Sequence, residues 1–527
     1  MNKRILLLFP NTSNDGVMPL AVAILSSIAK DLGYTIEYFD TTFYRKEKIS
    51  TEAREKSGEF KGVNRDDFIE LKPYESMHLE FSEVLNDYQP DILAVTANSL
   101  EYELFNELME AVEFKGPKPF VMVGGVHATL DSEEVINNPF VDAICTGEGE
   151  IPWEEFLIKF EEKSDFHTIK NLWVKHEGEI HRNPEGYLLG EDKLWDRPLD
   201  LTLFDERNFL YVFDGVTYKK GNIELSRGCP YECTYCVNTI FKNNAKGLGK
   251  FFRIRSIENI GPAIEQLINM GCEMLYFQDE SFLSINEPTL RDFCSWYAKE
   301  VKLPLLVMAR PETVTESKVK LLADMNVPIQ VSLGVESGSQ RILTEICNRK
   351  TTVEELIAAG NMLKKYNIRM TGFTMIGFPT ETREEAFMTI DLMRTLDMDN
   401  SVMSIFYPFK GLPLRDFCLE RGYITGDEPA RSFTSGSILK NQPMTSQEVF
   451  NIRRCYSLYT KLPLEYMPDV EKCEKDYENN KELFAKLVDL VLGKYYRSWD
   501  LGKNLGKDPV AAEMERSETV LERAAIC

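Results

Sequence analysis

The chain has 527 residues, and its 61 basic and 84 acidic side chains give it a net charge of −23 at neutral pH. At roughly 150 residues per domain, this length predicts three to four domains. So acidic a chain is a poor general binder of nucleic acids and of anionic membrane surfaces. Hydrophobic residues make up 43% of the chain and charged residues 28%, which is typical of a globular protein and excludes a disordered one.

The eleven cysteines are odd in number and few for the length of the chain. They argue against a secreted, disulfide-linked protein and predict reduced thiols in the cytoplasm. The apolar run at residues 5–9 is too short for a signal peptide and ends at Pro10. No stretch approaches ~18 consecutive apolar residues, so no membrane span is expected.

Residues 1–163 alternate short apolar runs with amphipathic segments. The continuous apolar run at the start is typical of a strand buried on both faces of a parallel sheet. The predicted strands are residues 5–9, 35–39, 91–96, 120–123 and 141–146. This alternation predicts right-handed βαβ units and therefore an α/β domain with a doubly wound, Rossmann-like parallel sheet.

Ligands of such sheets bind at the carboxyl ends of the strands. The loops at those ends are residues 11–18, 97–99, 124–127 and 147–150, and three of them contain glycine. Each glycine alone equally fits a tight turn, but their coincidence at one edge indicates a ligand site. No G-x-G-x-x-G follows the first strand, which argues against a dinucleotide.

Residues 164–220 are interpreted as a connector. The segments 171–175 and 179–182 predict a small hairpin around Glu177 and Gly178. Residues 196–208 are rich in proline and aspartate and predict a linker.

The strongest chemical signal is the triad Cys229, Cys233 and Cys236, spaced C-x-x-x-C-x-x-C after a predicted strand at residues 223–227. Thiolates suit iron–sulfur clusters, and three ligands leave one iron of a [4Fe–4S] cluster open for a substrate or cofactor. A zinc knuckle and three unrelated thiols are the alternatives. No fourth cysteine or histidine lies nearby for structural zinc, and three of eleven cysteines within eight residues argue against coincidence.

With Tyr235 just before its last cysteine, the triad resembles the cluster motif of the radical S-adenosylmethionine (SAM) enzymes. The resemblance extends over residues 221–424 with a βα rhythm of ~30–40 residues. The matching strands are predicted at residues 274–280, 305–309, 329–338, 371–381 and 402–407. Members of this family fold the segment as a partial (β/α)6 TIM-type barrel with the cluster in its mouth.

The resemblance implies a role for each matching residue. The three cysteines would bind the [4Fe–4S] cluster, whose open iron chelates the amino and carboxylate groups of S-adenosylmethionine. The SAM-binding residues would be Tyr235 at the adenine, Asp279 and Glu280 at the amino group, Arg310, Ser332 and Glu336 at the carboxylate or ribose, and Gly372 and Ile376 beside the adenine. Each has a structural alternative: the two acids as helix N-caps, Arg310 as a partner of Glu312, and Gly372 as a packing glycine.

A doubly wound domain before such a barrel resembles the cobalamin-binding domain of the cobalamin-dependent radical SAM enzymes. The implied cobalamin-binding residues are Asn11, Thr12, Gly16, Thr96, Asn98, Ser99, Gly124, Gly125, His127, Gly147, Glu148 and Glu150. Many cobalamin domains carry D-x-H-x-x-G after the first strand, but the loop at residues 11–18 has no histidine. Cobalamin is therefore expected to bind without a protein histidine as its lower ligand, and His127 equally fits a turn histidine bonded to the backbone.

Two further segments complete the chain. Residues 241–255 carry five basic and no acidic side chains, which either dock an anionic substrate or pair with acids elsewhere. Residues 425–527 contain amphipathic segments at 447–462 and 482–496 and predict a small α-helical domain that covers the barrel mouth.

The resemblance implies a methyltransferase that acts on an unactivated carbon of a small molecule or natural product. A 5′-deoxyadenosyl radical removes hydrogen, and the substrate radical takes a methyl group from methylcobalamin; an external donor such as flavodoxin or ferredoxin supplies electrons. The alternatives are a non-methylating radical cyclase or rearrangement enzyme and a non-enzymatic cobalamin or iron–sulfur sensor. A transfer-RNA methylthiolating enzyme would need a second cysteine triad, but Cys145 is the single cysteine of residues 1–163.

Overall fold

A computed structural model describes residues 3–46, 50–194, 197–428 and 432–499. Its N-terminal part is a seven-stranded sheet with helices on its two faces. The strands are β1 (Arg4–Phe9), β2 (Thr35–Asp40), β3 (Ile92–Thr96), β4 (Phe120–Gly124), β5 (Ala143–Cys145), β6 (Leu172–His176) and β7 (Glu179–Arg182). The helices are α1 (Leu20–Asp31), α2 (Ser50–Lys56), α3 (Ser76–Tyr88), α4 (Ser99–Glu110), α5 (Val126–Leu130), α6 (Ser132–Asn137) and α7 (Glu150–Glu162).

The strand order is β2-β1-β3-β4-β5-β6-β7, and the first five of these strands are parallel. Ile5 to Leu8 of β1 are all at most 4% exposed, because helices cover both faces of the strand. The doubly wound prediction is confirmed. The predicted connector hairpin forms, but its strands β6 and β7 extend the sheet in the antiparallel direction from β5.

The second sheet is a partial barrel. Its strands and a small ribbon beside it are β8 (Leu210–Phe213), β9 (Val216–Ile223), β10 (Ser226–Arg227), β11 (Arg253–Ile254), β12 (Met274–Phe277), β13 (Leu305–Ala309), β14 (Ile329–Glu336), β15 (Arg369–Ile376) and β16 (Asn400–Ile405). The helices of this part are α8 (Val237–Asn244), α9 (Ile257–Asn269), α10 (Glu287–Trp296), α11 (Glu316–Asp324), α12 (Val353–Lys365), α13 (Arg383–Leu396) and α14 (Pro413–Glu420).

The barrel order is β16-β15-β14-β13-β12-β9-β8, in which six strands are parallel and β8 is an antiparallel edge. This confirms the partial (β/α)6 architecture. The predicted strand at residues 223–227 is wrong in its bounds, because the first barrel strand begins at Val216 and ends at Ile223. Residues 226 and 227 instead pair with β11 in a separate ribbon, which starts the cysteine loop outside the barrel wall.

The last described part is helical: α15 (Ser446–Lys461), α16 (Met467–Lys475) and α17 (Lys481–Leu490). Helix α15 begins at a capping box of Thr445 and Glu448 and packs against α13 and β16, beside the last barrel strands. Residues 500–527 of the predicted tail domain, with Cys527, lie outside the described residues, as does Asp196 of the predicted linker. None of the helices in the described ranges combines the length and the apolarity that crossing a membrane requires.

A segment of the N-terminal part reaches the far edge of the barrel, which the sequence did not predict. Arg54 of α2 donates to Ser404 Oγ on β16 at 2.9 Å, and Glu59 accepts from the backbone N–H of Met403 at 3.2 Å. The Glu59 carboxylate also forms an ion pair with Arg453 of α15. These contacts close the open side of the partial barrel at β16.

Candidate active site

A cavity of about 500 Å³ lies between the first sheet and the barrel mouth. From the sheet it is lined by the ends of β1, β3 and β4 and by the turn after β5. From the barrel it is lined by Gly228 and Asn238 at the two ends of the cysteine loop and by the residues that follow β9 and β12. Its polar lining residues include Thr96, Glu148, Glu150, Glu185, Glu224, Arg227, Asn238, Gln278 and Glu280. The cavity is therefore at the point where the strand order reverses between β1 and β3, the usual ligand site of such sheets.

Glycines keep side chains away from the sheet side of this cavity. Gly125 has a φ of +94°, and a Cβ there would lie 2.8 Å from both the nitrogen and the oxygen of Ala97. Only glycine allows the turn after β4 to approach β3 this closely. Gly124 and Gly147 also line the cavity, so a flat ligand can rest on backbone at this edge.

The cysteine loop leaves the ribbon strand β10 at Gly228, whose φ is +88° and whose Cβ would lie 2.4 Å from the oxygen of Phe251. Cys229 and Cys233 are buried, and Cys236 is half-buried at the N-cap of α8. The loop is held in place by backbone bonds. Thr234 donates from its N–H to the carbonyl of Cys347 at 3.2 Å, and its own carbonyl accepts from Leu414 N–H at 3.1 Å.

Within the described ranges, no group of three or more His, Cys, Asp or Glu side chains converges as ligands of one metal ion would. In an iron–sulfur cluster each thiolate binds a separate iron, so its ligands do not converge on one point. Burial raises the pKa of the Cys236 thiol to about 11, and ligation would release this proton because only the thiolate binds metal.

Arg310, at the end of β13, reaches the triad. Its Nη1 donates to Cys233 Sγ at 3.0 Å, and its guanidinium lies 3.8 Å from the ring centroid of Tyr231. The predicted alternative also holds, because Arg310 pairs with Glu312 at 2.6 Å. The side chain thus places a positive charge beside a predicted cluster ligand.

Tyr235 and Glu336 are brought together by a residue that sequence reasoning missed. Arg349 is 2% exposed, pairs with Glu336 at 2.8 Å and donates to Tyr235 Oη at 3.4 Å. Its Nε and Nη2 have no hydrogen-bond partner among the described residues. The signal for it in the sequence is weak, because Arg349 follows a loop rather than a strand. Ser332 lies on β14 and is 6% exposed.

The two acids after β12 have different surroundings. Asp279 is fully buried and accepts from the N–H groups of Leu225 and Ser226 at 2.9 and 2.6 Å, so its carboxylate holds the chain that enters the cysteine loop. The contact of Asp279 with the amino group of S-adenosylmethionine stays a prediction. Glu280 is exposed on the wall of the cavity, and the surrounding protein together with the charge of Glu224 raises the pKa of Glu280 above its usual range.

The predicted residues of β15 face away from the cavity. A Cβ on Gly372 would lie 2.4 Å from Met393 Cε of α13, so this glycine allows helix packing, as its alternative reading has it. Ile376 is fully buried. In the turn that follows, Glu381 accepts from Gly377 N–H at 2.6 Å, and burial raises the pKa of Glu381 to about 8.

Comparison with known families shows which family the chain belongs to. Residues 223–393 match the model of the radical SAM superfamily, and residues 67–157 match the model of the B12 binding domain. The cavity lies between these two segments. The chain belongs to the cobalamin-dependent radical SAM enzymes.

Three curated relatives cover much of this enzyme. An uncharacterized methyltransferase of Pyrococcus horikoshii is 26% identical over 80% of this chain and 88% of its own. Cytidylyl-2-hydroxyethylphosphonate methyltransferase of Streptomyces wedmorensis is 21% identical over 81% and 82%. Anaerobic magnesium-protoporphyrin IX monomethyl ester cyclase of Cereibacter sphaeroides is 26% identical over 66% and 56%.

The same fold occurs in the solved structure of the radical SAM methyltransferase TsrM of Kitasatospora setae, which contains cobalamin and a [4Fe–4S] cluster. The two chains superpose with a TM-score of 0.59 at 19% identity, over 81% of this chain and 78% of TsrM. This likeness supports the arrangement of a doubly wound sheet above a partial barrel.

The residues predicted to bind cobalamin in the enzyme fall into two groups. Those that line the cavity are Thr96, Gly124, Gly125, Gly147, Glu148 and Glu150. The remainder lie elsewhere. Asn11 bonds Thr42 Oγ1 at 2.7 Å, a Cβ on Gly16 would lie 2.3 Å from Arg207 O, Asn98 caps α4, and Thr12 is half-buried. The loop after β1 thus packs against residues of the connector.

His127 and Ser99 form a pair below the cavity. His127 is 5% exposed, its Nδ1 lies 3.1 Å from Ser99 Oγ, and its ring centroid lies 4.5 Å from that of Tyr102. Burial lowers the pKa of His127 to about 4, so the ring is neutral at physiological pH. The predicted backbone bond is replaced by this serine contact.

Five charged side chains join the two domains of the enzyme across the cavity. Arg227 pairs with Glu150 at 2.7 Å and with Glu224 at 2.9 Å, and Arg253 pairs with Glu148 at 2.6 Å. Burial alone would raise the pKa of Glu148, but its bond with Arg253 and the charges of Arg227 and Arg253 lower it. This interdomain ion network sits next to Gly228 and so aligns the cysteine loop with the first sheet.

We expect Arg227→Met to destabilise the enzyme by about 2 kcal/mol, because hydrogen bonds to charged groups are lost at a mostly buried site. Thermal unfolding and the cobalamin retained after gel filtration measure the effect, and both should fall. Arg182→Met is the control, since Arg182 pairs with the exposed Glu133 and should leave both measurements unchanged. Equal behaviour of the two variants would contradict a role for the network.

Most basic side chains of the loop at residues 241–255 bind other residues of the enzyme. Lys242 pairs with Glu232 at 2.9 Å, Lys250 with Glu191 at 2.9 Å, and Arg253 with Glu148. Arg255 donates to backbone carbonyls, and Lys246 is exposed. The reading in which these bases pair with acids elsewhere therefore describes three of the five, Lys242, Lys250 and Arg253.

Proposed function

We propose that the enzyme is a cobalamin-dependent radical SAM methyltransferase that methylates an unactivated carbon of a small molecule. The observation that carries this proposal is the shared cavity. The carboxyl edge of the B12-binding sheet and the two ends of the cysteine loop, at Gly228 and Asn238, line one cavity, so the two cofactors would lie beside a shared space. Two of the three curated relatives are named as methyltransferases.

When bound, the cluster with S-adenosylmethionine would supply radical initiation, and cobalamin would supply the methyl group. The protein's own residues bind, orient and exclude water. Cys229, Cys233 and Cys236 would ligate the cluster, and Arg310 donates to one of these sulfurs. Arg349, whose Nε and Nη2 have no hydrogen-bond partner among the described residues and whose Nη2 lies 4.0 Å from Glu312, would face a carboxylate beside Tyr235.

We infer that cobalamin is held without a protein histidine as lower ligand. None of the residues that line the cavity in the described ranges is a histidine. His127 is engaged by Ser99 and Tyr102.

We further infer a small-molecule substrate, an electron donor such as flavodoxin or ferredoxin, and a cytoplasmic location. The apolar side chains that line the cavity from β1, α1 and α8 suit a small organic substrate. Reduced thiols support the location, since every cysteine of the described residues is free.

The mass of the product tests the proposal. Anaerobically reconstituted enzyme with a reductant and cobalamin should form 5′-deoxyadenosine, and an extract of cells lacking the gene should then contain a compound heavier by one methylene unit. S-adenosylmethionine with a deuterated methyl group should pass its label to this compound. A product of unchanged mass that still depends on S-adenosylmethionine would overturn methyl transfer.

A radical cyclase is the second candidate, favoured by the relative named as a cyclase. That relative matches over 56% of its own length, so a large part of it has no counterpart in the match. The same experiment separates the candidates, because cyclisation adds no methyl label.

A further inference from the structure

Lys220 is a buried cation on the first barrel strand. It lies on β9 and is 7% exposed. The next residue, Gly221, faces the outer helices, because its Cβ would lie 2.9 Å from Leu267 Cδ1 of α9. Since side chains alternate along a strand, Lys220 points to the inside of the barrel.

The ammonium group of Lys220 has aromatic neighbours. Its Nζ lies 3.9 Å from the ring centroid of Tyr211 and 5.2 Å from that of Tyr276. No ion pair or hydrogen bond of its side chain is found within the described part of the chain. Aromatic rings offset part of the cost of burying a cation, but an ammonium removed from water without an anionic partner remains unfavourable.

The acid whose charge acts on Lys220 is already bound elsewhere. Burial lowers the pKa of Lys220 to about 8, and Asp15 partly opposes this shift. The Asp15 carboxylate accepts from Arg65 at 2.8 and 3.1 Å. Lys220 therefore remains mostly protonated at neutral pH without a carboxylate in contact.

The inner wall of the barrel carries both polar and apolar side chains, because Gln330 and Ser332 of β14 alternate with residues of the outer core, and part of it is accessible. Phe373 of β15 faces inward, since its neighbour Gly372 packs on α13, and its side chain is 37% exposed. One ammonium and exposed aromatic surface within the same barrel suit a small molecule that has an apolar body and one anionic group.

Resting on the proposed function, we infer that Lys220 docks an anionic group of the substrate, a carboxylate or a phosphate, inside the barrel. An anion there would pair with the ammonium where no side chain of the described residues does. The basic loop at residues 241–255, whose cations are mostly bound by acids, does not fill this role. Lys220 is thus a specificity-determining residue that admits acids and rejects their neutral analogues.

Amine labelling of the reconstituted holoenzyme tests the inference. Neutral N-acetoxysuccinimide acetylates accessible lysines, and peptide mass spectrometry gives the rate at Lys220. Sodium acetate and inorganic phosphate are the anionic probes, and acetamide is the neutral one, all at constant ionic strength. We expect an anion at ~2 times its dissociation constant to slow acetylation of Lys220 by about threefold.

Lys219 is a matched control on the same strand. It precedes Lys220, points to the other face and pairs with Glu206 at 3.3 Å. Its acetylation rate should not change with either anion. Slowing by acetate alone would assign a carboxylate, and slowing by phosphate alone would assign a phosphate. The inference would be overturned if neither anion slowed acetylation of Lys220, or if acetamide slowed it equally. It would also be overturned if Lys220 were not labelled without denaturant.

Cleavage of S-adenosylmethionine by the same preparation distinguishes a failure of the docking role from a failure of the proposed function. If 5′-deoxyadenosine forms but neither anion protects Lys220, the docking role is wrong and the proposed function stands. If no 5′-deoxyadenosine forms, the proposed function itself fails. Binding of acetate or phosphate inside the barrel, measured by calorimetry, should be lost in Lys220→Met and retained in Lys219→Met.

Discussion

Replacing Cys233 with alanine should abolish cluster assembly and all cleavage of S-adenosylmethionine. The remaining thiols, Cys229 and Cys236, would leave two irons of the cluster without a protein ligand, and Arg310 would lose the sulfur that accepts its hydrogen bond. Iron content, the visible absorbance of the reconstituted protein and 5′-deoxyadenosine formation measure the result. Each should fall to the background level.

Two comparisons make this prediction specific. Cys272→Ala removes a buried thiol between α9 and β12, away from the cavity lining, and should keep iron content and cleavage. Cobalamin binding should survive in Cys233→Ala, since the sheet residues that line the cavity are unchanged. Loss of cobalamin together with the cluster would show that the two sites are not separable, and full iron content in Cys233→Ala would refute its role as a ligand.

Glu59→Ala should be the most destabilising single change away from the cofactor sites. The Glu59 side chain is fully buried, pairs with Arg453 of α15, whose side chain is 3% exposed, and accepts from Met403 N–H. Its removal leaves a buried guanidinium without its acid and a strand N–H without its acceptor. Breaking a buried pair in this way costs roughly 3–5 kcal/mol.

Thermal unfolding measured by circular dichroism checks this expectation, and limited proteolysis near residues 50–70 reports whether the segment leaves the barrel. Glu133→Ala is the matched control, because the Glu133 side chain is 57% exposed in its pair with Arg182. Surface pairs contribute little, so this variant should unfold like the native protein. A similar midpoint for both variants would mean that Glu59 does not hold the barrel edge closed.

Local patterns in the chain were sufficient for the two sheets. The apolar run that became β1 and the strands that became β13 and β14 are short and continuous. Elements of this kind depend on periodicity within ~10 residues, which a sequence displays directly. The predicted bounds of the first barrel strand were wrong because the true bounds depend on the pairing of this strand with β8, which only the tertiary structure shows.

The partners of the charged side chains could not be predicted from local patterns of this kind. Glu148 and Glu150 were predicted as ligand contacts and do line the cavity, but their carboxylates pair with Arg253 and Arg227, about 80 to 105 residues later in the chain. A glycine-rich turn at a strand end looks the same whether it meets a ligand or another domain. Only the packing of the sheet on the barrel distinguishes these partners.

Three of the few cysteines are the predicted cluster ligands, whereas acids such as Glu148 and Glu150 pair with basic side chains. The sequence by itself determined the fold class and the family and predicted the cluster triad, because these depend on residue types at short, regular spacing. The tertiary structure alone decided that three cations of the basic loop pair with acids, that Arg349 joins Tyr235 to Glu336, and that Lys220 is buried inside the barrel. Burial and ion pairing arise between segments far apart in the chain, and no local pattern encodes them.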